Sequence, residues 1–123
     1  MSDFFIGSKC EIHMNRIVEL SAPQFARFVA KGSSVVLFSA SWCKPCQEMK
    51  PAFHALEEKL HALAAFGKID VAMSPTIAQM YGIRAVPSLA VFHEGRLLRV
   101  MPGSRSMGAM KKAILDSLED IRR

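Results

Sequence analysis

Apolar residues along the chain change their spacing several times, and each change marks an element. Ile17 to Leu20 reads as a first strand. Ser21 stands just before Pro23, and Phe25, Phe28 and Val29 then recur at helical spacing up to Gly32, which predicts a capped helix with a glycine stop. The run Val35 Val36 Leu37 Phe38 is branched and aromatic, and it is bounded by Gly32 to Ser34 and by Ser39 to Ser41. Such a run is expected of a strand buried on both faces, and it delivers the chain to Trp42 and Cys43. Beyond Cys43, residues Met49, Phe53, Leu56, Leu60 and Leu63 step by four, three, four and three. Glu48, His54, Glu57, Glu58 and Lys59 fill the other faces of this amphipathic helix. Pro51 should bend it instead of ending it, because the apolar stripe continues on both sides.

Phe66 to Val71 is the next strand, and Ser74 with Pro75 caps a short helix that stops at Gly82. Leu89 to Phe92 and Leu97 to Met101 flank His93 Glu94 Gly95 Arg96, a spacing that predicts an antiparallel hairpin. Met107, Met110, Ile114, Leu118 and Ile121 mark a closing helix. The order strand, helix, strand, helix, strand, helix, strand, strand, helix predicts an α/β fold, a central mixed sheet with helices on both faces. Residues 1–15 show no clear period, so the sequence divides into an N-terminal extension, 1–15, and one domain, 16–123.

A length of 123 residues, half of them apolar, suffices for one hydrophobic core and not for two. The longest apolar runs fall far short of the ~20 residues that span a bilayer, so no membrane association is expected. Asp3 comes early and only Phe4, Phe5 and Ile6 follow, which does not read as a secretory signal and makes the cytoplasm the expected location. The net charge of +5 is uneven: Arg96, Arg99, Arg105, Lys111 and Lys112 lie in a stretch without an acidic residue. That stretch lacks interleaved aromatics and any nucleic-acid motif, which argues against nucleic acid and leaves solvation or an acidic protein partner. His13, His54, His61 and His93 fall at unrelated spacings and are expected at the surface.

Three cysteines, Cys10, Cys43 and Cys46, are an odd number, and two of them lie too close in sequence to staple distant parts of a chain, so a disulfide framework is not expected. A close pair in a reducing compartment reads as catalytic or metal-binding. At the turn from a buried strand into a helix, Cys43 lies where unpaired backbone donors and the positive end of the helix dipole favour a thiolate. Lys44 adds a positive charge. Cys46, three residues on, shares the first turn, so the two sulfurs can close a disulfide with little backbone movement. Pro45 takes an early helical position where its missing donor costs nothing. The chemistry this supports is thiol–disulfide exchange, with Cys43 as nucleophile and Cys46 as resolving thiol. A zinc site is the alternative for a CxxC pair, and only Cys10 and His13 are available to complete it.

The segment Trp42 Cys43 Lys44 Pro45 Cys46 resembles the WCGPC of the thioredoxin family. Pro51 matches that family's bend in the active-site helix, and Tyr81 Gly82 Ile83 Arg84 Ala85 Val86 Pro87 resembles its YGIRxxP stretch. Phe92, Gly95 and Gly103 fall at its spacing for the terminal hairpin and the loop that follows, so the resemblance covers about residues 17–120. It implies a monomeric protein-disulfide reductase without metal or cofactor, its redox-active disulfide being Cys43 with Cys46. It implies protein disulfide substrates, acidic ones if the basic stretch borders the groove near Gly103, and a thioredoxin-reductase-like electron donor. It also implies that Pro87 is cis, that the backbone of Val86 pairs with the substrate, and that Trp42 and Gly103 belong to the docking surface. Met73, Met101 and Met107 are further candidates for that surface.

Four positions depart from the family. Leu37 replaces a buried aspartate, Phe66 the lysine beside it, Lys44 the glycine between the cysteines, and Gln47 a lysine that often follows the second cysteine. The buried acid and base are exchanged together for apolar residues, which need not harm the fold. Lys44 beside Cys43 predicts a more oxidising couple than WCGPC. A more oxidising, partner-specific oxidase or isomerase is therefore one competing reading, and a non-catalytic binding module of the same fold is another.

Overall fold

The structure, a computed structural model, describes residues 16–121. Residues 1–15, with Cys10 and His13, lie outside the described residues. Its elements run β1 (Val18–Leu20), α1 (Ala22–Ala30), β2 (Ser33–Ser39), α2 (Lys44–Leu60), β3 (Ala65–Asp70), α3 (Pro75–Met80), β4 (Ser88–His93), β5 (Arg96–Pro102) and α4 (Met107–Asp120). The order matches the one that spacing predicts.

The strands form one sheet in the order β1-β3-β2-β4-β5. β2 pairs in parallel with β3 and antiparallel with β4, so its backbone groups are satisfied on both sides. That central place is what an unbroken apolar run requires: Val35 to Phe38 are at most 1% exposed. The side-chain period of two splits the run between two cores. Val35 and Leu37 face Met49, Phe53, Leu56 and Leu60 of α2 and Met110, Ile114 and Leu118 of α4. Val36 and Phe38 face Phe25 and Val29 of α1 and Ile77 and Ala78 of α3. Ring pairs lock each side, Phe53 with Phe66 at 5.7 Å between centroids and Phe25 with Phe92 at 5.6 Å.

The β4–β5 turn carries positive φ at Glu94 (50°) and Gly95 (84°). It is tied to the end of α1: Glu94 N–H donates to Gly32 O at 2.9 Å, Gly95 N–H to Val29 O at 2.8 Å, and Gly32 N–H to the Glu94 carboxylate at 2.8 Å. The hairpin therefore docks on the first βαβ unit, and its far end, Ser88 paired with Pro102, lies at the other end of the sheet.

Four expectations need correction. α2 ends at Leu60, and Leu63 lies in the following turn, 45% exposed, because the chain must already reverse toward β3. Glu57 is buried, 1% exposed, instead of solvated: it stands four residues after Phe53 and three before Leu60, on the flank of the apolar stripe. β3 ends at Asp70, and Val71 leaves the strand while still donating to Ser39 O at 2.8 Å. His93 is half-buried, its Nδ1 2.9 Å from Ser33 Oγ across the β2–β4 pair, whereas His54 and His61 are exposed.

Leu37 and Phe66 both sit in the core between the sheet and α2, so the two apolar replacements share one dry cluster. Lys68 points the other way, to Glu19 at 2.9 Å. Restoring only the acid should leave a buried carboxylate without its base. Leu37→Asp is expected to destabilise the fold by about 3–5 kcal/mol at neutral pH in urea titrations. Burial raises the folded-state pKa of that carboxyl, so the folded protein binds the extra proton and the loss should shrink as pH falls toward the unfolded value. Leu37→Asn should cost a similar amount at every pH.

Candidate active site

β2 delivers the chain to Ala40, whose carbonyl accepts the Cys43 N–H at 3.1 Å and closes a tight turn. Cys43 then takes an extended conformation, φ −90° and ψ 111°, as the N-cap of α2. Its Sγ accepts the Cys46 N–H at 3.2 Å, the bond that a serine or aspartate oxygen makes at an ordinary cap. A sulfur in this position accumulates charge where the first unpaired N–H groups of a 17-residue helix point. Pro45 follows in the first turn, where it removes a donor that has no intrahelical partner.

Cys43 and Cys46 are joined as a disulfide, with Cα atoms 5.3 Å apart. Cys43 is 5% exposed and Cys46 is fully buried, so Cys43 is the more accessible of the two. Ala40, Val71 and Val86 pack against the pair. The Val86–Pro87 peptide bond is cis, and the Val86 carbonyl lies 3.7 Å from Cys43 Sγ. The loop carrying it is held at two points: Ser88 Oγ donates to Ala85 O at 2.7 Å, and Gly103 N–H donates to Pro87 O at 2.8 Å; the Gly103 loop is itself braced by the Arg105 guanidinium, which donates to Pro102 O at 3.0 Å. Gly103 has φ 88°, a conformation that suits glycine and that brings its N–H onto Pro87.

The structure thus brings Trp42, Cys43, Cys46, Val86, Pro87 and Gly103 to one end of the sheet. Trp42 is 72% exposed, a lip on the site and not part of the core. Lys44 and Pro45 are exposed on the first turn of α2. The methionine candidates separate: Met73 is exposed, Met101 is buried and Met107 is half-buried. The basic stretch separates too. Arg105 lies on the loop beside Gly103, Lys112 is paired with Asp116 at 2.9 Å, and Arg96 and Arg99 line a cleft with Glu94 and Asp120 at the far end of the hairpin. Ala40 and Val71, which pack on the sulfurs, were not singled out from the sequence. Their only signal was their place at a strand end. Among the described residues no group of three His, Cys, Asp or Glu side chains is placed to hold a metal ion.

Residues 16–116 match the thioredoxin family model. The chain belongs to the thioredoxin family. It is 30% identical over 108 residues to a thioredoxin of Buchnera aphidicola subsp. Schizaphis graminum, covering 86% of this chain and all of that one. It is 31% identical over 102 residues to putative thioredoxin 2 of Streptomyces coelicolor, covering 82% of this chain and 75% of that one. Among solved structures, the thioredoxin of Malassezia sympodialis superposes with a TM-score of 0.76 at 29% identity, covering 85% of this chain and 92% of that one. With its cysteine pair at bonding distance, this family member is a thiol–disulfide oxidoreductase.

The unequal placement of the sulfurs has a direct readout. In the reduced protein, iodoacetamide should alkylate Cys43 first and at least about tenfold faster than Cys46, as followed by mass spectrometry in the Cys46→Ser and Cys43→Ser variants.

Proposed function

We propose that this protein reduces protein disulfides in the cytoplasm, working as a monomer with electrons from a thioredoxin-reductase-like donor. The observation that carries the reading is the capping bond from Cys46 N–H to Cys43 Sγ, which favours a thiolate on the more accessible cysteine. Cys43 thiolate attacks one sulfur of the substrate disulfide; a new S–S bond forms and the substrate's other sulfur leaves as a thiolate. Cys46, deprotonated, attacks Cys43, the mixed disulfide breaks, and the second substrate sulfur departs. Two electrons have passed to the substrate, and its thiolates take up two protons.

Docking falls to the surroundings of the pair. The backbone of Val86, beside Cys43, offers hydrogen-bonding groups to an extended substrate chain, with Pro87 and Gly103 holding that loop and Trp42 covering the bound segment. Lys44, Arg84 and Arg105 on this end of the molecule favour acidic substrates. The likeness to whole bacterial thioredoxins supports the cytoplasmic assignment, and no described helix is long and apolar enough to cross a membrane. The family match begins at residue 16, in keeping with an extension over 1–15 and a domain from 16 to 123.

Reduction of a model protein disulfide with dithiothreitol as electron source tests the reading. Cys43→Ser should lower turnover by a factor of about 10³ or more, and Cys46→Ser should accumulate a mixed disulfide that dithiothreitol releases. A wild-type protein that leaves the substrate oxidised would refute it.

Lys44 and Pro45 tune the couple: the lysine charge stabilises the reduced form and the proline stiffens the turn. Because Lys44 is exposed, screening limits its effect. Lys44→Gly should lower the reduction potential by about 5–20 mV against a glutathione buffer. The same charge is what favours a more oxidising, partner-specific role as the second reading, and a drop well beyond that range would support it.

A further inference from the structure

At the turn end of the β4–β5 hairpin, away from the disulfide, a cleft of about 610 Å³ opens between β5 and the C-terminal end of α4. A bulge in β5 shapes it. Val91 pairs with Arg99 and Phe92 with Leu97, so Leu98 is an extra residue without a partner on β4. Residues 96 and 99 are an odd number apart and would point to opposite faces of a regular strand. The extra residue cancels that alternation: Arg96 pairs with His93 and Arg99 with Val91, two residues of the sheet face that packs on α4. Both guanidiniums therefore line one cleft, with Leu98 between them in the chain.

Arg96 and Arg99 are exposed, and among the described residues neither makes a hydrogen bond or an ion pair. The opposite wall is negative. It carries Asp120, whose carboxylate is likewise unpaired among the described residues, at the end of a 14-residue helix whose last carbonyls hold the negative end of its dipole. Glu94, at the hairpin turn, is already committed, its carboxylate accepting the Gly32 N–H at 2.8 Å. Leu98 and Ile121, both half-buried against the core, add an apolar floor.

The free charges are thus two cations facing one anion across a space of small-molecule size. Their complement is a molecule with two carboxylates and one ammonium. We propose that this cleft binds a short peptide of two or three residues, with a free N-terminal ammonium and an acidic C-terminal residue. Arg96 and Arg99 take the two carboxylates through their N–H donors, Asp120 and the end of α4 take the ammonium, and an apolar side chain covers Leu98 and Ile121. The site uses neither cysteine and is independent of the exchange chemistry.

The dipeptide Leu-Glu carries all of these features. N-acetyl-Leu-Glu lacks the ammonium and Leu-Gln lacks one carboxylate, so the three form a matched set. Titrated into the oxidised full chain, Leu-Glu should shift the backbone NMR signals of residues 93–99 and 117–121. It should bind about fivefold more tightly than either control, the scale of one charge-assisted hydrogen bond made at a solvated site. Arg96→Gln and Arg99→Gln should each weaken Leu-Glu about fivefold, and Asp120→Asn should bring it within twofold of its acetylated form. The spectrum of each variant reports its folding directly. Equal affinities for the three peptides, shifts centred on Trp42 and Val86, or no shift at about 10 mM peptide would overturn the site.

Discussion

The acceptance of the Cys46 N–H by Cys43 Sγ is the contact on which the site depends. It exists because a strand ends and a helix begins within four residues, Ala40 to Cys43, so that a sulfur falls where a capping oxygen would otherwise stand. An oxygen in that place only satisfies a donor. A sulfur also gains reactivity from it, since the field that ends the helix favours the thiolate needed for exchange.

Holding that junction still requires the rest of the sheet. β2 is hydrogen-bonded on both sides and packed on both faces, so its end has little freedom to move. α2 is fixed along its apolar stripe by the same core, and the loop at Pro87 is tied to the β5 end through Gly103. The sulfurs are thus gripped from β2, α2 and the Pro87 loop, while the face beside Trp42 stays open.

Beneath the pair the interior is apolar. Leu37 and Phe66 occupy one cluster with Met49 and Phe53, where the family's usual acid and base would lie. A charged pair in such a place is expensive to desolvate, and its joint replacement by well-packed side chains keeps the core intact. Charge is found instead at exposed positions, on Lys44, Arg84 and Arg105, where water solvates it.

Much of this was written in the sequence. The unbroken run Val35 to Phe38 announced a central strand, the spacing from Met49 to Leu60 an amphipathic helix, and Trp42 to Cys46 the exchange chemistry, because each signal is local and has one physical solution. What local pattern could not decide was depth and neighbourhood. Glu57 is a polar residue yet is buried, because its neighbours on the helix cylinder, and not its own polarity, set its burial. Met73 and Met101 look alike in sequence and differ in exposure, one on a loop and the other on a strand that packs on α2 and α4. The basic stretch reads as one feature along the chain, but the hairpin sends Arg96 and Arg105 to opposite ends of the sheet. Val71, Val86 and Trp42, distant in sequence, meet at a single groove only because parallel and antiparallel pairing bring β3, β4 and the end of β2 side by side. Periodicity names the elements and the reactive residues; which of them share a surface depends on contacts between distant segments, and those arise only when the chain is folded.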